Sequence, residues 1–256
     1  MKTYSKLRLT LLCPLSLGLA ASAQTLLVGA DVTKKLPHKM SVGIEGEFRT
    51  MQWVKHTERW TIAGNFDYKP WKFLKVGAQY KYMQVQELGG GTPGLDSYNA
   101  YFDQKHRVSI SATGSFKIWK FEFSLRERSQ YTFRPYHEVP RFDAYGPLEE
   151  VDNKEISAKS KHVLRSRLQI EFKPYKKCPW KPYANVELYS LLSDVNHTKG
   201  KVDGAKFYDK YRVTAGTEYK INKKNSLDIF YRYANTADPE DHEMGHTIGL
   251  IYSFDF

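Results

Sequence analysis

The stretch "HEMGHTIGLIY" carries His242, Glu243 and His246 in the order H-E-x-x-H, followed by Gly249. On a helix that spacing brings two imidazoles to one zinc ion while the carboxylate activates water, the chemistry of a metalloprotease. Where such signatures continue with a third histidine, this chain has Tyr252, and only four residues follow. From Thr247 onward apolar and polar residues alternate, as on a strand. His242 and His246 on a strand stand about 13 Å apart, too far to share a zinc whose bonds are about 2.1 Å long. No metal site is expected.

Acyl chemistry on a lipid needs a serine, a histidine and a polar orienting group within hydrogen-bond reach. His106, His162 and Ser166 stand in or near strand-like segments, but their spacing joins none of them. "GGGTPG" lacks the Lys-Ser/Thr pair and the following helix of a phosphate-cradling loop, and reads as a plain connection. No catalytic residue is assigned, no cofactor is expected, and the chain is expected not to be an enzyme.

Charged residues at alternate positions form the pattern with most chemical content. If the apolar faces of their segments point outward, Glu45, Glu47, Arg49, Arg59, Asp67, Lys75, Lys81, Arg107, Glu122, Arg126, Arg128, Arg165, Arg167, Glu171, Glu187, Arg212, Glu218, Asp228 and Arg232 face the interior. Arranged around an enclosed space, these side chains would form a ladder of both signs, in which an arginine on one strand meets a carboxylate on the next. The surplus of arginine would favour anionic solutes.

Ten segments can position such a ladder. Val42, Ile44 and Phe48 face one way in "KMSVGIEGEFR", against Glu45, Glu47 and Arg49. The same two-residue period returns in "RWTIAGNFDY", "LKVGAQYKY", "RVSISATGSFKI", "KFEFSLRERSQY", "LRSRLQIEF", "YANVEL", "YRVTAGTEYKI", "SLDIFYRY" and "HTIGLIYSFDF". Brief connections rich in lysine and aromatics alternate with long ones, the layout of a transmembrane barrel with short turns on one rim and long loops on the other. Tyr68, Trp71, Phe73, Trp119, Phe121, Tyr175, Trp180, Tyr183 and Tyr219 gather at the short turns, where an interfacial girdle would sit. Lys34, Lys35, Lys39, Lys72, Lys120, Lys176, Lys177, Lys223 and Lys224 stand there too, most of them read as solvated turn residues, with contact to anionic headgroups as the alternative. "TLLVGADVTKKL" also alternates and would make an eleventh strand, although bacterial barrels usually have an even number. The expected fold is an all-β, antiparallel up-and-down barrel of ten to twelve strands. A soluble sandwich would place Arg126 with Arg128, and Arg165 with Arg167, in a dry core without partners.

The mean hydropathy of −0.58 suits a barrel, because a polar lumen offsets a lipid-facing wall. A net charge of +11 permits anionic partners, but the abundance of tyrosine and tryptophan in strands does not suit a nucleic-acid-binding arm, and nucleic acid is not expected as a partner. Lys2, Lys6 and Arg8 precede an apolar run ending in Ala21-Ser22-Ala23, so residues 1–23 read as a cleaved secretory signal and 24–256 as one domain. Cys13 lies in that signal, leaving Cys178 without a partner for an internal disulfide.

"KKLPHKMSVGIEGEFR", "KHRVSISATGSF", "LRERSQYTFRP", "RSRLQIEFKPYKKCPWKPYANVELY" and "YRVTAGTEYKINKKNSLDIFYRY" resemble phrases of the Bacteroidetes outer-membrane proteins grouped as domain of unknown function 2490. The resemblance covers nearly all of the mature chain. It implies an outer-membrane barrel and carries no established activity. Tyr252, Phe254 and Phe256, alternating at the end of the closing strand, resemble the C-terminal signal read by the barrel assembly machinery. The partners expected are therefore outer-membrane lipids and that machinery; oligomeric state stays open. The expected role is a narrow channel or a structural or binding barrel, with a phospholipase-like lipid enzyme as the alternative and the H-E-x-x-H protease a remote one.

Overall fold

A computed structural model of the protein describes residues 25–52, 54–90, 97–142, 150–175, 178–236 and 245–256. The strands, in chain order, are β1 (Thr25–Leu36), β2 (Met40–Met51), β3 (His56–Trp71), β4 (Leu74–Glu87), β5 (Ser97–Tyr98), β6 (Tyr101–Ile118), β7 (Phe121–Arg134), β8 (His137–Phe142), β9 (Glu150–Ile156), β10 (Lys159–Phe172), β11 (Trp180–Asn196), β12 (Lys201–Asp203), β13 (Lys206–Lys220), β14 (Asn225–Thr236) and β15 (Gly245–Asp255). Eleven of these, β1 to β4, β6, β7, β10, β11 and β13 to β15, close into one barrel, with β10 against β11 completing the ring. The small β12 extends the end of β11, and β5, β8 and β9 form a separate three-stranded sheet in the long connections.

"TLLVGADVTKKL" is a spanning strand, and the count is odd. Each short or long connection reverses the chain, so after an odd number of strands the last runs in the same direction as the first. The wall is therefore not antiparallel throughout. β1 pairs β15 in parallel from Thr25 against Thr247 to Thr33 against Asp255, while every other neighbouring pair in the ring is antiparallel. Thr25 consequently stands at the rim of the long connections and Phe256 at the opposite rim, where its amide donates to the Thr33 carbonyl at 2.9 Å. One connection on the long rim is brief: only residues 52–55 separate β2 from β3.

Two faces of opposite character follow from the alternation. Ile44, Ile110 and Leu168 point outward and are 59–67 % exposed, whereas the lumen-facing Arg49 and Glu187 are 4 % and 3 % exposed. A water-soluble protein has the reverse arrangement; an apolar outer band around a polar interior is the pattern of a barrel in lipid. Trp71, Phe73, Trp119, Tyr175 and Trp180 are exposed at the short-turn rim, Trp119 with Lys120 Nζ 4.8 Å from its ring. Tyr183 does not join this girdle. It shares the parity of Glu187, so it turns into the lumen and donates to Asp228 at 2.9 and 3.0 Å.

Packed side chains fill one side of the interior. On β1 and β14, Leu27, Phe230 and Ala234 are buried. Phe230 lies flat on β15, so close that a Cβ on Gly249 would stand 2.0 Å from the ring. Arg232 caps the ring with its guanidinium carbon 4.7 Å from the centroid. The open space is thereby pushed toward β3, β4, β6, β7 and β10.

Candidate functional site: the arginine-rich lumen

A cavity of about 970 Å³ runs inside the barrel, lined near the short turns by Asp67, Lys75 and Thr113 and near the long connections by Tyr101, Lys105, Asn196 and Lys199. Eleven strands about 4.8 Å apart and tilted about 40° set a backbone radius of roughly 11 Å, so inward arginines reach well toward the axis. Among the residues anticipated from the sequence, Glu45, Glu47, Arg49, Arg59, Asp67, Arg126, Arg128, Arg165, Arg167, Arg212 and Arg232 line the cavity, together with Lys75, Lys81 and Arg107. Glu187 lies buried behind the arginines. Glu122, Glu171, Glu218 and Asp228 sit toward the short-turn rim, where they are taken up by other partners.

The middle of the site is organised on Glu187. Arg165 Nη2 donates to both of its oxygens, at 2.5 and 2.6 Å. Arg126, Arg212 and Arg167 approach at 3.6, 3.8 and 4.0 Å. Tyr189 adds its hydroxyl, donating to Glu187 at 3.1 Å and accepting from Arg212 at 2.5 Å, while the guanidinium carbons of Arg165 and Arg212 lie 5.2 and 5.0 Å from its ring. A charge-assisted network of this kind brings four cations to one carboxylate at the cost of mutual repulsion.

Lysines serve the other carboxylates. Lys81 Nζ donates to Glu45 at 2.7 Å and Glu47 at 3.3 Å, Lys181 to Glu218 at 2.5 Å, and Lys173 bridges Glu122 at 2.9 Å and Glu171 at 3.0 Å. Burial works against the charge on Lys173, just beyond the end of β10, but its bonds to the two carboxylates outweigh it and hold the ammonium above its ordinary pKa. The expected ladder of both signs is thus discontinuous: on β7 and β10 like stands against like, Arg126 opposite Arg167, Arg128 opposite Arg165, and Glu122 opposite Glu171. Among the described residues, the cavity is lined by seventeen Lys and Arg against eight Asp and Glu.

Several contributors were not anticipated. Gln79 donates to Asn65 at 2.7 Å and to Glu45 at 3.3 Å, and accepts from Arg128 at 3.4 Å. Asp103, wholly buried, meets Lys105 at 3.2 Å and Arg134 at 3.4 Å, and the buried Glu58 meets Arg49 at 3.4 Å. Tyr189 was detectable by its spacing of two from Glu187. Asp103 was hidden because "YFDQ" reads as the tail of a long connection, although Asp103, Lys105 and Arg107 share one parity.

A family model described as "Protein of unknown function (DUF2490)" matches residues 26–245. The chain belongs to the DUF2490 family. No curated protein matches it. Among solved structures, the DUF2490 barrel is similar to the crystal structure of the β domain of the Bordetella autotransporter Brka, at 12% identity and a TM-score of 0.48, with 82% of this chain and 78% of that one covered.

The described residues of the sequences that suggested enzymes are dispersed over the outer wall of this DUF2490 barrel. His242 and Glu243 lie outside the described residues. His246 stands on β15 with its Nδ1 bonded to the Tyr231 hydroxyl, and its ring is 5.1 Å from that of Tyr233. His106 is bonded through Nδ1 to Tyr80 at 2.8 Å. Ser166 donates to Glu127 at 2.7 Å, whereas His162 lies 2.8 Å from Ser129. The three residues His106, His162 and Ser166 therefore belong to three separate pairs. Tyr252 and Phe256 are exposed on the outer face, and Phe254 stacks on Phe256 at 5.7 Å.

Proposed function

We propose that this DUF2490 protein is a non-enzymatic barrel of the outer membrane that forms a narrow, anion-preferring conduit. The observation that carries the reading is one cavity whose lining reaches from the short-turn rim to the long-connection rim, with cationic side chains outnumbering anionic ones about two to one along it. A low-dielectric wall focuses that surplus, which raises the local concentration of anions and excludes cations. Residues 1–23, read as a secretory signal, and the apolar outer band support a destination in the outer membrane, with lipids around the wall. Tyr252, Phe254 and Phe256 are the residues through which the assembly machinery would recognise the last strand.

Planar bilayers test this reading. Purified barrel in a KCl gradient is expected to give small, discrete conductance steps whose reversal potential has the sign for chloride. Electrical silence of reconstituted, folded barrel, or a reversal potential of cationic sign, would reject the conduit. Recovery of the protein with soluble periplasmic contents instead of outer-membrane vesicles would reject the location.

A further inference from the structure

We propose that Arg126, Arg128, Arg165 and Arg167 form a saturable seat for a doubly charged oxyanion, the group carried by free phosphate and by phosphorylated solutes. The proposal rests on the reading that the lumen admits solutes, and it adds a specific binding site to it. The antiparallel register sets Arg126 directly against Arg167 and Arg128 directly against Arg165. Like charges in directly opposed positions destabilise a sheet. An element built only to brace the wall would alternate signs there.

The same two strands show how such a clash is resolved elsewhere. Two same-face positions beyond Arg126 and Arg167, toward the short turns, Glu122 stands directly against Glu171, and Lys173 sits between them, 2.9 and 3.0 Å from the two carboxylates. A pair of anions is bridged by a cation. Among the described residues the arginine pairs share one carboxylate, and it is not placed evenly between them. Glu187 engages Arg165 at 2.5 Å and reaches the others only at 3.6 Å for Arg126 and 4.0 Å for Arg167. Arg128 donates at 3.4 Å to a neutral amide, Gln79 Oε1. The nearby carboxylates of Glu45 and Glu47 are held by Lys81 at 2.7 and 3.3 Å. All four residues line the cavity, and among the described residues the buried Nε of each has no hydrogen-bond partner.

What would complete this arrangement is an anion with several acceptor oxygens and more than one negative charge. Arginine presents two parallel donors to such a group, and phosphate is the commonest one that fits them. Chloride offers one charge and no fixed geometry, so it screens the plate without bridging it.

The test is isothermal titration of inorganic phosphate and, separately, of glycerol 3-phosphate into the purified full-length barrel in non-ionic detergent at low ionic strength, with chloride as control. One saturable phosphate equivalent is expected, weakened about tenfold or more in Arg128→Gln, with chloride giving no saturable heat. Glycerol 3-phosphate binding tighter than phosphate would identify a phosphorylated solute as the source of the group; equal or weaker binding would identify free phosphate. In phosphate-free buffer Arg128→Gln is expected to unfold at the same or a higher temperature, because it removes repulsion. No saturable phosphate binding, unchanged affinity in Arg128→Gln, or a variant that is less stable or fails to fold would overturn the proposal. Saturable binding by a barrel that carries no current would sink the conduit and leave the seat standing, while anionic current with no saturable binding would do the opposite.

Discussion

At the scale of the residue, Glu187 is the position on which the interior depends. It is 3 % exposed and is the carboxylate toward which Arg126, Arg165, Arg167 and Arg212 converge. Replacing it by glutamine keeps the shape and removes the charge, leaving crowded guanidinium groups without their anion. We expect Glu187→Gln to lower stability by roughly 2–4 kcal/mol, somewhat below a fully dry ion pair because the cavity is open to water. Denaturant unfolding in detergent, followed by tryptophan fluorescence, checks this. A variant as stable as the parent would mean that Glu187 does not hold the arginines together. Which of these charged residues face inward follows from parity, and Tyr183, placed in the girdle by its nearness to a short turn, shows the cost of setting parity aside: it sits four positions before Glu187 and shares its face. Their pairing was not legible, because whether Arg126 meets a glutamate or another arginine depends on the register between β7 and β10, which parity leaves open.

At the scale of the element, two features decide how the wall closes. The first is the contact of Phe230 on Gly249. A glycine there lets an aromatic ring from the neighbouring strand lie against the backbone; any side chain would meet the ring at 2.0–2.4 Å. Gly249→Val is expected to destabilise by about 1–3 kcal/mol through overpacking, read as a lower temperature for loss of the compact, fast-migrating form in gel electrophoresis. The same variant is expected to be rescued in part by Phe230→Ala, which empties the space. The second feature is the parallel seam. Val28 pairs with Leu250 and Val32 with Phe254, so in a Cys178→Ser background cysteines at Val28 and Leu250 should be joined by a short bis-maleimide. Cysteines at Val28 and Phe254, about 13 Å apart along the strands, should not. Equal or reversed yields would contradict the parallel closure. That closure was half legible: the alternation of Val28, Ala30 and Val32 announces a strand, but only the whole count shows that it completes an odd ring.

At the scale of the whole molecule, the sequence pattern carried the barrel because a polar lumen and an apolar exterior both repeat every two residues, and eleven strands repeat that signal around the wall. What the pattern could not carry is how the interior divides. Leu27, Phe230 and Gly249 fill the side near the seam, and the cavity lies against β3, β4, β6, β7 and β10; such an eccentric lumen arises from side-chain volumes summed across strands far apart in the chain. The hairpin of β8 and β9 also escaped notice, since Pro140 interrupts β8 and proline within a run argues against a strand.

The central claim is that alternate residues see lipid and water. Spin labels placed singly at residues 61 to 66 of β3, in the barrel reconstituted into phospholipid vesicles, measure this most directly through their collision rates with oxygen and with a water-soluble nickel complex. Labels at Ile62, Gly64 and Phe66 should be accessible to oxygen and shielded from nickel, and those at Thr61, Ala63 and Asn65 should show less oxygen and more nickel contact. A profile without the two-residue period, or one with its phase inverted, would contradict the account.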